Sequence, residues 1–263
     1  MIALHNLSLP VAISYPQTSV FLFLAHAFAI DISHINVYAL AQYVSIGICI
    51  LSFLVQNLLH RKMERFASIP LKSGLTGAEI AKKMLQQHGI YDVTVTHTPG
   101  KLTDHYNPLK KSVNLSEDVY HGCHTAAAAV AAHECGHAVQ HAHGYAFLQM
   151  RSAMVPIVSF TSRYMIFIIM LGVSMMHTTL VPLELGVGLF ALTTLFSFIT
   201  LPVEFDASSR ALAWIDRQGV VTHGEYREAK SALWWAAMTY VLAALGSLAE
   251  LLRLLSLLNR RRD

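Results

Sequence analysis

Charge is what this sequence has least of. Asp, Glu, Lys and Arg make up 13% of its 263 residues and hydrophobic residues 54%, whereas a soluble globular domain carries about 25% charged residues. That shortage excludes an ordinary soluble domain and argues for a membrane protein. Cysteine is scarce as well. Cys49, Cys123 and Cys135 make no even disulfide framework, and Cys49 lies in an apolar run, so all three read as free thiols in a reducing compartment. The net charge is only +3 with the basic residues spread out, which leaves no electrostatic footprint for nucleic acid. No Lys or Arg precedes Arg61, so the start lacks the basic region of a signal peptide.

What the chain has instead is long uncharged runs. Residues 20–30 are apolar but too short to cross a bilayer core of about 30 Å, so residues 1–36 read as an interfacial or re-entrant N-terminal extension. Residues 37–59 are long enough to span and form the first transmembrane helix. His60, Arg61, Lys62 and Arg65 follow it, and the positive-inside rule places them in the cytoplasm. Residues 154–201 read as a transmembrane hairpin. Its first span is set at 164–180, which keeps Arg163 at the interface, and its second at 185–201, beyond the break expected at Pro182. Everything before Arg163 and after Leu201 then shares one side.

Between these runs, residues 60–153 form the only long polar stretch and read as a soluble catalytic lobe. Thr76 and Glu79 make a capping box for a helix that stops at Gly89, and residues 91–96 alternate as a strand. Residues 102–106 and 112–115 flank the turn from Asn107 to Lys111 as a hairpin. Its outer strand could pair with an extended peptide, or could be an edge blunted by Lys110 and Lys111 that binds nothing. After the hairpin of spans, Pro202 opens a helix within 202–232 that carries Glu204, Asp206 and Arg210 and stops at Gly219. Thr222 and Glu225 make a second capping box. It leads into the apolar C-terminal helix of 233–263, spanning or membrane-associated, with Glu250 and Arg253 paired on one face and Arg260, Arg261 and Arg262 marking a membrane-surface end.

The chemistry concentrates at His133-Glu134-Cys135-Gly136-His137. An Ala-rich run without proline predicts a helix over 125–143, closed by Gly144. Residues four apart on a helix lie on one face about 6 Å along the axis, so the two imidazoles can share one zinc ion. Glu134 projects beside them, placed to take a proton from an attacking water. A helix of a His-rich protein with no metal is the plainer alternative.

A catalytic zinc needs a third protein ligand. His141 lies about 12 Å along the helix from His133, too far to share an ion. His143 copies the metzincin spacing, but Gln140 stands where the chain-turning glycine would be. His121 and His124 lie upstream and read as structural or surface histidines. Glu204 remains, because the membrane hairpin returns it to the face of His133; a glutamate at a helix start equally serves the helix dipole.

Five runs then match a known pattern in order: SGLTGAE from Ser73, LTDHYNP from Leu102, LSEDVY from Leu115, AHECGH from Ala132 and LPVEFDAS from Leu201. With them the chain resembles the bacterial membrane-bound neutral zinc metallopeptidase family, type 2, from residue 37 to the C-terminus. The resemblance implies a gluzincin-like α+β zinc peptidase lobe on a mainly α membrane protein of three to four transmembrane helices, with Glu204 as third ligand. In distant relatives an acidic residue four positions after that glutamate buttresses a zinc-bound histidine; here the position is Ser208, and Asp206 is expected to pair with Arg210.

The expectation is therefore a zinc-dependent endopeptidase of the bacterial inner membrane, multi-pass, with its active site facing the cytoplasm. His133, His137 and Glu204 hold Zn²⁺, Glu134 is the general base, and Arg210, His223 or Tyr106 stabilises the oxyanion. The partners are a peptide or membrane-protein substrate and the lipid bilayer. The rival is a zinc-binding membrane scaffold or chaperone partner without turnover, against which the intact Glu134 argues.

Overall fold

The structure, a computed structural model, describes residues 37–262. The expectation for residues 1–36 lies outside the described residues. The described chain is mostly helical, in the order α1 (Val37–Ala67), α2 (Gly77–Gln87), β1 (Thr94–Thr98), β2 (His105–Asn107), β3 (Ser112–Ser116), α3 (Glu117–Tyr120), α4 (Thr125–Ala142), α5 (Ala146–Met175), α6 (Val181–Arg217) and α7 (His223–Arg262). Helices α1, α5, α6 and α7 are each long and apolar enough to cross a membrane.

Several elements follow from local signals. The capping box of α2 is complete: Thr76 Oγ1 accepts from the Glu79 backbone N–H, and the Glu79 carboxylate accepts from the Thr76 N–H. That satisfies two backbone donors at the helix start. Glu225 does the same at α7, accepting from the Thr222 N–H at 2.6 Å, and reaches further to accept from the Lys72 N–H at 2.7 Å. Gly89 and Gly219, both at positive φ, follow the ends of α2 and α6.

Four expectations are corrected. Pro202 does not open a helix; it sits inside α6, which is continuous from Val181 to Arg217. A proline removes one backbone donor and crowds the preceding turn, but here Val203, Ala207 and Ala211 are fully buried at four-residue spacing directly beyond it. Burial of that face outweighs a single missing bond. Pro182, expected to break the apolar run, lies in the first turn of the same helix, where a missing N–H costs nothing. Helix α5 likewise starts at Ala146, runs through Pro156 and Arg163, and ends at Met175 rather than Leu180. In the polar stretch, Leu102 has φ +57° and falls outside β2. The expected β2–β3 hairpin is present, antiparallel, with Tyr106 opposite Val113. Unforeseen is the parallel pairing of β1 with β3, which gives a mixed sheet of order β1-β3-β2.

The described residues divide into two compact units. One contains 55–149 and 201–238, and so holds the sheet, α2, α3, α4 and the ends of the long helices. Its core joins Ile80 and Met84 of α2, Val113 and Leu115 of β3, Ala131, Cys135 and Val139 of α4, Ala211 and Ile215 of α6 and Leu233 of α7. The other unit holds the apolar portions of α1, α5, α6 and α7. In it Ile169, Leu183 and Leu254 interlock, and Arg253 grips Glu250 through both its Nε (2.9 Å) and Nη2 (2.5 Å). A pair this buried in an apolar helix keeps its charges matched where water cannot solvate them.

Candidate metal centre

Helix α4 supplies the first part of the site. Its alanines at 126–129, 131 and 132 are buried to 2% exposure or less, so the backbone packs closely on α2 and presents the next turn inward. The helix starts at His124, whose Nδ1 accepts from the Ala127 N–H at 3.1 Å. It ends before Gly144 at φ +63°, where the Tyr145 N–H bonds the Gln140 carbonyl at 2.9 Å. His133 and His137 stand one turn apart with ring centroids 4.8 Å apart and nearly perpendicular.

Helix α6 supplies the rest. Glu204 is 2% exposed, and its Oε2 lies 3.3 Å from His133 Nε2 and 3.6 Å from His137 Nε2. The three donor atoms all fall within 4.8 Å of one another, and this group could hold a metal ion. The approach that brings them together depends on Gly136. A Cβ there would lie 2.6 Å from the Ala207 carbonyl oxygen, so only glycine lets the α6 backbone come this close.

The outer nitrogens of both histidines are engaged. Ser208 Oγ lies 3.1 Å from His133 Nδ1, and Gln140 Oε1 lies 3.0 Å from His137 Nδ1. The amide of Gln140 can point only one way. Its Nε2 is 2.8 Å from both the Val203 carbonyl and Asp206 Oδ2, two acceptors, so its other end is the oxygen and accepts the proton of His137 Nδ1. A neutral His137 then has its lone pair on Nε2, facing the Glu204 carboxylate. Two acceptors at this distance call for a cation between them. A borderline-soft dication that takes imidazole nitrogen and carboxylate oxygen fits this donor set, which is the chemistry of zinc.

Glu134 is buried beside the ligands but outside the donor group. Burial pushes its carboxyl up to about 7, with His133 opposing the shift and Asp104 and Glu204 adding to it. The backbone of Tyr106 in β2 also opposes the shift. Asp104 is half-buried and its carboxyl is raised by that desolvation, and it accepts from the Ser116 N–H at 2.6 Å and from the Ser116 hydroxyl.

The remaining candidates stand elsewhere. His141 Nδ1 is hydrogen-bonded to the Tyr106 hydroxyl at 2.7 Å, and burial holds that phenol up at about 12. His143 turns back on its own helix, with Nδ1 2.8 Å from the Val139 carbonyl. His121 is exposed and His124 caps α4. Of the oxyanion candidates, Arg210 donates from Nε to Asp206 Oδ2 at 2.5 Å, the pairing expected for Asp206. Tyr106 spends its hydroxyl on His141, and His223 is an exposed residue opening α7. The sequence marks Gln140 only as a departure from the metzincin spacing and assigns Gly136 no role of its own. The available signal for Gln140 was a fully buried amide-bearing residue three positions after the second histidine, but burial is not visible without the partner helix.

The family described as "Putative neutral zinc metallopeptidase" matches residues 41–259. The chain is 41% identical over 213 residues to a Bacillus subtilis protein named "Putative membrane protease YugP", covering 81% of this chain and 94% of that relative. No solved structure matches. With the match spanning nearly all the described residues, the chain belongs to the neutral zinc metallopeptidase family.

Proposed function

We propose that this protein is a zinc-dependent, membrane-bound endopeptidase. The observation that carries the reading is the convergence of two imidazole Nε2 atoms and one buried carboxylate from a second helix, with a further buried carboxylate, Glu134, beside them and left out of the donor group. A glutamate from a second helix as third ligand makes the lobe gluzincin-like. In this reading His133, His137 and Glu204 hold Zn²⁺. When bound there, zinc supplies a Lewis acid that polarises a carbonyl and lowers the pKa of water to about 7.

Glu134 is the general base. A carboxyl raised by burial accepts a proton from the attacking water and returns it to the leaving amine more readily than an exposed one, because its pKa lies nearer that of the groups it serves. Strand β2 is an edge of the sheet, and its open side offers an extended peptide substrate main-chain partners next to this base. The membrane-capable helices, the name of the Bacillus relative and the basic run from His60 to Arg65 support a multi-pass protein of the bacterial inner membrane whose catalytic lobe, residues 60–153 with 202–232, faces the cytoplasm.

The test is proteolysis by the full-length chain in detergent, loaded with zinc and given an unfolded casein-like or membrane-protein substrate. Cleavage by the wild type that disappears in Glu134→Gln while zinc stays bound supports the peptidase. Zinc binding without cleavage in either protein leaves the scaffold.

A further inference from the structure

Gln140 contributes nothing to the donor group, yet it is completely buried and uses both ends of its amide. We infer that Gln140 is a positioning residue that clamps two of the three metal ligands at once: its carbonyl oxygen fixes His137, and its amide nitrogen fixes the backbone next to Glu204. The inference rests on the metal-site reading above.

One end acts on the imidazole. By accepting from His137 Nδ1 at 3.0 Å, Gln140 selects the tautomer whose lone pair is on Nε2 and holds the ring plane against rotation. Partners of this kind orient a ligating histidine, and losing one costs about 10- to 100-fold in metal affinity. The other end acts on α6. Gln140 Nε2 donates to the carbonyl of Val203, the residue before Glu204. That carbonyl lies within one turn of Pro202, the place where α6 is missing a backbone donor, and a cross-helix bond there holds the carboxylate at its depth. The second donation from Nε2, to Asp206 Oδ2, is continued by Arg210. A chain of hydrogen bonds thus runs from the His137 ring through Gln140 and Asp206 to a cation on α6. A hydrophobic residue of equal size fills the space and supplies neither end. A glutamate keeps the acceptor for His137, loses the donor to Val203 and sets its charge against Asp206.

The experiment uses the full-length chain in detergent, zinc titration, and the d–d absorption spectrum of the cobalt(II)-substituted protein, which reports coordination geometry and would not move for a residue that merely fills space. Gln140→Leu is expected to weaken zinc at least tenfold and to alter the cobalt spectrum. Gln140→Glu is expected to do likewise, and Gln140→Glu with Asp206→Asn, which removes the clash of two carboxylates but still leaves the Val203 carbonyl without its donor, is expected to recover only part of the affinity and to stay below wild type. Should Gln140→Leu fail to fold, the glutamate variant and the exchanged pair decide. Wild-type zinc affinity and spectrum in Gln140→Leu, in Gln140→Glu or in the exchanged pair overturns the clamp. A wild-type chain that takes up neither metal overturns the metal site itself and the clamp with it.

Discussion

Gly136 and Ala207 meet backbone to backbone: a Cβ on the first would sit 2.6 Å from the carbonyl oxygen of the second and 3.1 Å from its carbonyl carbon and Cα. These two residues set the spacing of α4 and α6, and every ligand of the candidate centre lies within a turn of one of them. His133 and His137 flank Gly136 on α4. Glu204 and Ser208 flank Ala207 on α6.

Gly136→Ala therefore pits two effects against each other. Alanine in place of glycine favours a helix by about 1 kcal/mol, but backbone atoms cannot yield as a flexible side chain would, and overpacking costs about 1–3 kcal/mol. The steric term wins. The variant should unfold at lower temperature than wild type, and its zinc affinity should fall because α6 and Glu204 move outward. Thermal denaturation with and without zinc measures both; a variant as stable as wild type with unchanged affinity would show that the two helices are free to separate.

Substitution of each imidazole or carboxylate near the motif should sort ligands from bystanders. Glu204→Ala is expected to lower bound zinc at least as strongly as His137→Ala, since its Oε2 faces both Nε2 atoms. His141→Ala and His143→Ala should bind zinc normally, because their Nδ1 atoms are occupied by Tyr106 and by the Val139 carbonyl. Metal content after dialysis is the measurement, and zinc lost on His143→Ala alone would revive the metzincin-like spacing.

How much of this was legible in the chain depends on how local each signal is. The α4 motif and both capping boxes depend on residues three or four apart, and such neighbours touch whenever a helix forms. The continuity of α6 through Pro202 was not legible, because the local rule against proline is overridden by packing of Val203, Ala207 and Ala211, whose partners lie far away in sequence. The parallel pairing of β1 with β3 was hidden for the same reason. Gln140 was read only as a departure from a turn-making glycine; its two-sided role exists only once Gly136 has admitted α6. At Ser208 the chain lacks an acidic buttress, and the structure puts the hydroxyl there instead, on His133 Nδ1.

That hydroxyl supports its histidine less firmly than the amide of Gln140 does, since a serine can donate or accept and so does not choose the tautomer of His133. Ser208→Ala should weaken zinc by less than Gln140→Leu. Ser208→Asp, which adds a charged acceptor at the same position, should tighten it above wild type, because a carboxylate partner raises the basicity of a ligating imidazole. Competition titration against a chelator ranks the three variants, and an aspartate that weakens binding would mean that the side chain cannot reach His133 Nδ1.

Removing the metal offers the last check, and its sign follows from where the ligands sit. His133 and His137 belong to α4 and Glu204 to α6, so an ion held by all three joins helices that otherwise meet through van der Waals contact and the Gln140 and Ser208 bonds. An ion that binds only the folded chain stabilises it by RT ln(1 + [L]/Kd), about 2.7 kcal/mol at a free concentration one hundred times Kd. Zinc should raise the unfolding temperature of the wild type in detergent, and a chelator should reverse the rise. In Glu204→Ala, where α6 no longer contributes a ligand, added zinc should shift the transition far less. Glu134→Gln should keep the full shift, since Glu134 lies outside the donor group, while losing about two to four orders of magnitude in peptide hydrolysis. A shift that vanished in Glu134→Gln would place that carboxylate among the ligands and remove it as the base.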